Sequence, residues 1–192
     1  MEVDFPSAFD AEGEPSKFLA RMKRRVAKDF RWTRLVCLQS VMLLAYWLHV
    51  FGRNDEALEV CRFLAQAEFT GNCCLWDSIE AALALQSRLL RHQGSQEEAD
   101  ECVDRIRSTS FLETRLDGVI LQTLERNVQA AIDDATRTSQ PRERDWRLLS
   151  LTETCILIEL GGSSALPASA LEERYFANVR RLREMVNLPP FC

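Results

Sequence analysis

Residues 52–58 read Gly-Arg-Asn-Asp-Glu-Ala-Leu, and residues 94–99 read Gly-Ser-Gln-Glu-Glu-Ala. Both contain the signature Gly-x-x-x-Glu-Ala, and the second copy begins 42 residues after the first. A glycine turn between two helices explains each copy, since such a hairpin buries its apolar face by stacking on a neighbour. The spacing therefore predicts two helical hairpins within residues 41–107. Shifting by the same offset also aligns apolar or small residues: Leu43 with Leu85, Ala45 with Ser87, Leu48 with Leu90, Val60 with Cys102, Cys61 with Val103 and Leu64 with Ile106.

The composition indicates an all-α protein. Only 7 Gly and 6 Pro punctuate 192 residues, whereas strand-rich folds need frequent turns. The apolar periodicity predicts about seven or eight helices arranged as antiparallel hairpins. We assign residues 16–192 to a single helical domain, which suits the length of the chain. Residues 1–15 are acidic and contain Pro6, Gly13 and Pro15, so we expect a poorly ordered or surface-draped N-terminal arm.

The residues Ala45, Leu48, Gly52, Glu56 and Ala57 resemble the turn of a tetratricopeptide (TPR) repeat. In that family a small residue precedes the turn, and Gly-x-x-x-Glu-Ala opens the second helix. The resemblance covers residues 41–107 and, more loosely, residues 145–186. The period of 42 exceeds the TPR period of about 34, and the proline that usually closes a repeat is missing, so the resemblance implies a TPR-like stack. Residues 75–85 are also similar to small uncharacterised bacterial helical proteins associated with toxin neutralisation.

Residues 35–51 contain no formally charged side chain and follow a basic segment, which is typical of a membrane anchor. The run is short for a membrane span and carries Gln39 and Ser40 in its first half. Because it also forms the first helix of the repeat, we prefer a helix buried by its neighbours. The N-terminal residues lack the basic start and apolar run of a secretory signal. Several cysteines lie on apolar stripes, where a reduced thiol packs as a small hydrophobe, so we expect a cytoplasmic protein.

The formal net charge of −5 gives no reason to expect nucleic-acid binding, which normally needs a basic face. The charge is uneven, however, because residues 17–34 contain eight cations and one anion, Asp29. We interpret this segment as a solvated face of the first helix, and an acidic partner or an anionic surface stays open as the alternative. Trp32 and Trp146 each stand at a predicted helix start beside arginines. The expected partner-binding residues are therefore Arg31, Trp32, Arg34 and Trp146.

The sequence contains little material for catalysis. There are only two histidines, His49 and His92, and we interpret both as structural. Cys73 and Cys74 lie at a predicted loop-to-helix junction, where a helix N-terminus lowers a thiol pKa, so they are the candidates for reactive thiols. No general base can be assigned to them, and the phosphate-binding, hydrolase and zinc-protease motifs are absent. We predict no enzymatic activity, no cofactor and no metal site.

These observations predict a stand-alone protein that binds another protein through the groove of a TPR-like stack. An immunity protein or chaperone that occludes a toxin or effector is the most specific form of this hypothesis, and the acidic charge would steer a basic partner. A small-molecule-binding or regulatory helical domain is one alternative, and it would show a deep apolar pocket. A protein anchored through residues 35–51 is the other. A homo-oligomer stays open.

Overall fold

The computed structural model of the chain describes residues 4–28, 30–69, 75–109, 119–134, 141–162 and 166–189. These residues form eight α-helices, a short 3-10 turn at Ser7–Phe9 and no strand, which confirms the predicted all-α class and the number of helices. The helices are α1 Lys17–Ala27, α2 Leu35–Val50, α3 Asn54–Leu64, α4 Trp76–His92, α5 Gln96–Arg107, α6 Val119–Asp134, α7 Pro141–Glu159 and α8 Ala168–Met185.

Glycines end three of the helices in the same way. Gly52 adopts a φ of 79°, which an L side chain rarely tolerates, and its N–H donates to the His49 carbonyl at 2.8 Å. The next N–H, of Arg53, reaches back to the Leu48 carbonyl at 2.9 Å. This pair of bonds satisfies carbonyls that the helix end leaves without partners. The same pair closes α4 at Gly94, as the repeat predicts, and also closes α7 at Gly161.

Residues 1–102 form one compact unit, which contains α1 to α4 and the start of α5. Helix α2 packs against α1, α3 and α4, and α3 also packs against α4. The hydroxyl of the fully buried Tyr46 donates to the backbone carbonyl of Ala81 at 2.9 Å and so joins α2 to α4. Trp47 is buried, as predicted. Among the described helices, none is both long enough and apolar enough to cross a membrane.

We expected residues 1–15 to form a poorly ordered or surface-draped arm, and part of this segment packs against the helices of the first unit. Ala8 and Phe9 are buried, and the 3-10 turn that contains them packs against α1 and α3. Phe9 contacts Phe63 of α3 with ring centroids 5.0 Å apart, and Phe5 contacts the same ring at 5.4 Å. The acidic residues and prolines of the segment dominate its composition, but its two phenylalanines supply enough apolar surface to fix it.

Residues 103–192 form the second compact unit. Helix α7 packs between α6 and α8, and Leu121, Leu157 and Leu171 from these three helices form a buried cluster. The division between the two units falls within α5, and the assignment of residues 16–192 to one domain stays a prediction. The first part of the helix predicted over residues 111–132 lies outside the described residues, where α6 begins at Val119.

Candidate partner-binding surface

Helix α1 separates its charges by face. Its apolar residues Leu19, Ala20 and Val26 are buried, together with Lys23. Successive residues of an α-helix are about 100° apart, so the four other cations lie within an arc of about 100° on the opposite side. All four are exposed, and Lys28 continues the row at the C-cap. We call this row the basic stripe, and its residues are Lys17, Arg21, Arg24, Arg25 and Lys28.

The chain between α1 and α2 extends the same basic character. Arg31 and Arg34 are exposed, as a partner-binding role requires. Directly after them, Leu35 is 41% exposed and Val36 is 51% exposed, although residues 35–51 read as one buried helix in the sequence. The first turn of α2 was therefore predicted wrongly: only the later turns of this helix are surrounded by neighbours. Sequence reasoning missed these two apolar side chains, because nothing in the uncharged run marks where burial begins.

Trp32 lies over a cluster of aromatic rings rather than standing free. Its ring stacks on Phe63 at 4.8 Å and meets the edge of Phe30 at 4.9 Å. Phe5 and Phe9 complete the cluster around Phe63. Trp32 is half-buried, so one part of the indole is held by the core and the other part faces solvent. The cluster fixes the orientation of the loop that carries Arg31 and Arg34.

A small cleft opens beside Trp32. Its volume is about 350 Å³. Apolar contact is provided by Leu38 of α2 and by Leu75, and polar contact by Glu68 and Gln66 just after α3. Because Trp32 itself lines the cleft, an inserted side chain would touch the exposed part of the indole. Arg31, Arg34, Leu35 and Val36 lie in the stretch of chain that leads past Trp32 into α2, and Trp32 and Leu38 line the cleft.

A partly buried ion cluster joins the N-terminal segment, α1 and the start of α3 in the first unit. Lys23 reaches Glu14 at 2.9 Å and Glu56 at 3.2 Å, and Arg53 contacts both oxygens of Glu14, at 2.6 and 2.7 Å. Arg53 also pairs with Glu56, so two cations and two carboxylates alternate. Burial would raise the pKa of Glu14, but hydrogen bonds from Arg53 and Lys23 outweigh it and hold this pKa below its ordinary value. The pKa of Glu56 is lowered by the same two partners against the same effect of burial.

The ion cluster revises two interpretations of the sequence. Lys23 was counted among the solvated cations of α1, but its side chain is only 3% exposed and serves the cluster. Glu56 belongs to the first Gly-x-x-x-Glu-Ala signature and was expected only to open the second helix of its hairpin, yet it also ties α3 to α1. The equivalent residue of the second copy, Glu98, forms only an exposed pair with Arg62 at 3.3 Å. The two copies thus share a turn but differ in the environment of the glutamate.

The second unit carries a polar network and a wider cleft. Glu143, which is 5% exposed, accepts hydrogen bonds from Arg147 at 2.9 Å and from Arg181 at 3.0 Å. Hydrogen bonds from Arg181 above all hold the pKa of Glu143 below its ordinary value, against the effect of burial. Asn178 and Ser150 continue the network between α7 and α8. An open cleft of about 710 Å³ lies beside it, lined by charged and amide side chains as well as Val128 and Ile132, unlike the deep apolar pocket expected of a ligand-binding domain.

The remaining predicted site residues are distributed as follows. Trp146 is half-buried on α7, in the second unit, so the structure groups only Arg31, Trp32 and Arg34 within one unit. Cys73 and Cys74 lie outside the described residues. His49 Nδ1 is hydrogen-bonded to Asn54 Oδ1 at 2.9 Å, which ties the two sides of the Gly52 turn. In the described part of the chain, no three histidine, cysteine or acidic side chains are grouped to hold a metal ion.

The fold and these residues define a class: an all-α protein of helical hairpins that carries a basic helix face and exposed apolar residues at the start of the next helix. Within this class, the chain belongs to a family of unknown function, DUF6707, which matches residues 7–184. No curated protein and no solved structure matches the chain.

Proposed function

We propose that this chain is a non-catalytic, TPR-like protein that binds another protein, in the manner of a bacterial immunity protein or chaperone that occludes a toxin or effector. The observation that supports this proposal is the exposure of Leu35 and Val36, which directly follow Arg34 at the start of α2 and lie close in sequence to Trp32, a residue that lines the cleft. Protein interfaces combine an apolar centre with a polar rim, and aromatic residues and arginine are enriched in them.

The surface also has the rigidity that a recognition site needs. Trp32 is held by its contacts with Phe30 and Phe63, and Phe63 belongs to the buried face of α3. A side chain that is fixed before binding loses little conformational entropy when the complex forms. We therefore assign Trp32 the role of the anchor, Leu35 and Val36 the apolar contact, and Arg31 and Arg34 the rim. Cytoplasmic localisation belongs to the same proposal and is supported by Cys37, Cys61, Cys102 and Cys155, which form no disulfide bond within the described residues.

Affinity purification from the native host tests the proposal. The wild-type chain is compared with Leu35→Ser/Val36→Ser and with the control Phe176→Ser, which removes another apolar side chain, 51% exposed, from the second unit. We expect one protein to co-purify repeatedly with the wild type and with Phe176→Ser, and to be lost with the double variant. The purified pair must then bind with one-to-one saturation in calorimetry. The proposal is overturned if no protein recurs, or if the double variant retains the same protein.

A further inference from the structure

The described cations differ in whether they contact a carboxylate. Outside residues 17–34, most described arginines contact a carboxylate, including several at exposed positions. Within residues 17–34, seven exposed cations form no ion pair with any described carboxylate: the five of the basic stripe together with Arg31 and Arg34. The arginines paired elsewhere are Arg53, Arg62, Arg91, Arg107, Arg144, Arg147, Arg174 and Arg181.

The basic stripe is unfavourable for the isolated helix. Lys17, Arg21 and Arg25 follow one another at a spacing of four residues, and Arg24 and Lys28 repeat it. Like charges at this spacing repel, and Lys17 lies in the first turn, where the helix dipole disfavours a cation, although the dipole favours Arg24, Arg25 and Lys28 at the other end of α1. The opposite face of α1 is buried, so the helix cannot turn its cations toward the carboxylates of its own unit. The stripe therefore stays available to an external group.

We infer that the basic stripe, with Arg31 and Arg34, binds an acidic surface of the partner protein, and that the apolar contact of Leu35 and Val36 follows from this electrostatic docking. This inference rests on the proposed function and names the chemistry of the partner. It also reverses the expectation from net charge, which favoured a basic partner. Salt screens exposed charges beyond about 10 Å, so a partner responds mainly to the charges close to its contact. Along the basic stripe these nearby charges are positive.

Three features favour a protein over a nucleic acid or a membrane as the acidic partner. The apolar Leu35 and Val36 beside the cations suit a protein interface, whereas duplex nucleic acid is held mainly through phosphate contacts. The apolar face of α1 is buried, so this helix has no face to insert into a bilayer. The overall charge of −5 repels an extended polyanion more than it repels a limited acidic patch.

Charge reversal at matched positions tests the inference on the full chain. The variant Arg21→Glu/Arg24→Glu changes the basic stripe, and Arg126→Glu/Arg180→Glu makes the same change of net charge at two exposed positions of the second unit. Affinity for the co-purified partner is measured by calorimetry at several salt concentrations. We expect the stripe variant to bind about tenfold more weakly or worse, with a reduced dependence on salt, and the control variant to bind as the wild type does. Circular dichroism confirms that both variants fold, which is expected because all four positions are exposed.

The outcomes separate this inference from the proposed function. A partner that is lost with Leu35→Ser/Val36→Ser but retained by the stripe variant supports the proposed function and overturns the inference. Equal losses in the stripe and control variants also overturn it, because net charge would then explain the effect. The co-purified partner, a mixed-sequence DNA duplex and phosphatidylserine-containing vesicles are compared at the same salt. Tighter binding of the duplex or the vesicles than of the partner protein overturns the assignment to a protein.

Discussion

Glu14→Gln is the sharpest test of how the N-terminal segment is held. The side chain of Glu14 is 1% exposed and that of Lys23 is 3% exposed, so the substitution leaves a buried ammonium with Glu56 as its remaining carboxylate. The new amide group also presents N–H donors to Arg53, which already donates there. Breaking a buried ion pair costs about 3–5 kcal/mol. Because Arg53 and Glu56 are 29% and 32% exposed and water reaches that side, we expect the low end, about 3 kcal/mol.

Urea unfolding at neutral pH measures this loss. Trp32, Trp47 and Trp76 lie in the first unit, so a Trp146→Phe background makes tryptophan fluorescence report on that unit alone. A loss of about 3 kcal/mol corresponds to a fall in the melting temperature of roughly 6–12 °C for a chain of this length. The control is Glu98→Gln, at the equivalent position to Glu56 in the second Gly-x-x-x-Glu-Ala copy. Its pair with Arg62 is exposed on both sides, so we expect a change within about 0.5 kcal/mol.

Equal changes in the free energy of unfolding for Glu14→Gln and Glu98→Gln would show that the ion cluster does not stabilise the N-terminal segment. That result would mean that water or a rearranged side chain replaces the lost carboxylate without cost. The N-terminal segment would then be held mainly by Phe5 and Phe9, whose contacts with Phe63 are independent of the ion cluster.

Three further predictions concern stability. The pKa values of Glu14, Glu56 and Glu143 are lowered in the folded protein, so the unfolded chain binds protons more readily below about pH 4.5 and the free energy of unfolding should fall there. The fall should be less steep in Glu14→Gln, and urea titrations at stepwise lower pH would contradict this if the wild type and the variant lost stability with the same slope. Gly162→Ala should cost clearly more than Gly94→Ala in thermal melting. Both residues have a positive φ, which costs an alanine about 1–2 kcal/mol, but only the Cβ at position 162 would lie 2.6 Å from a backbone carbonyl oxygen. Equal losses of stability would count against this close approach. Tyr46→Phe should cost about 0.5–1.5 kcal/mol, since it removes the hydrogen bond between α2 and α4 while the Ala81 carbonyl keeps its bond within α4, and an unchanged urea midpoint would show that this bond does not hold α2 to α4.

The fold was predictable where local chemistry decides it. Gly52 and Gly94 are needed at helix ends because only glycine adopts their positive φ without strain, and that requirement is visible in the sequence as a repeat. The start of α1 was predictable from Ser16, whose hydroxyl accepts the N–H of Leu19 at 3.3 Å. The N-terminal segment was not predictable, since Phe5 and Phe9 find their partners on α3, far along the chain. The apolar periodicity of a segment depends on residues close together in the sequence, so it does not predict contacts between distant segments.

The candidate site was predicted only in part. Arg31, Trp32 and Arg34 were selected from tryptophan beside arginine, and the structure places both arginines at the surface with the indole half-buried. Leu35 and Val36 were missed, because an uncharged helical run does not reveal which of its turns protrudes from the packed helices. The role of Lys23 was hidden for a related reason. A single cation on the apolar face of α1 differs from its neighbours only once the helix is placed against Glu14 and Glu56.

Hydrogen exchange on the purified complex locates the partner-binding surface without any substitution. If the start of α2 and the basic stripe bind the partner, we expect slower exchange of backbone amides in residues 17–38 when the partner is bound, and unchanged exchange in α7 and α8. Protection confined to the second unit, with residues 17–38 unchanged, would show that the partner binds elsewhere.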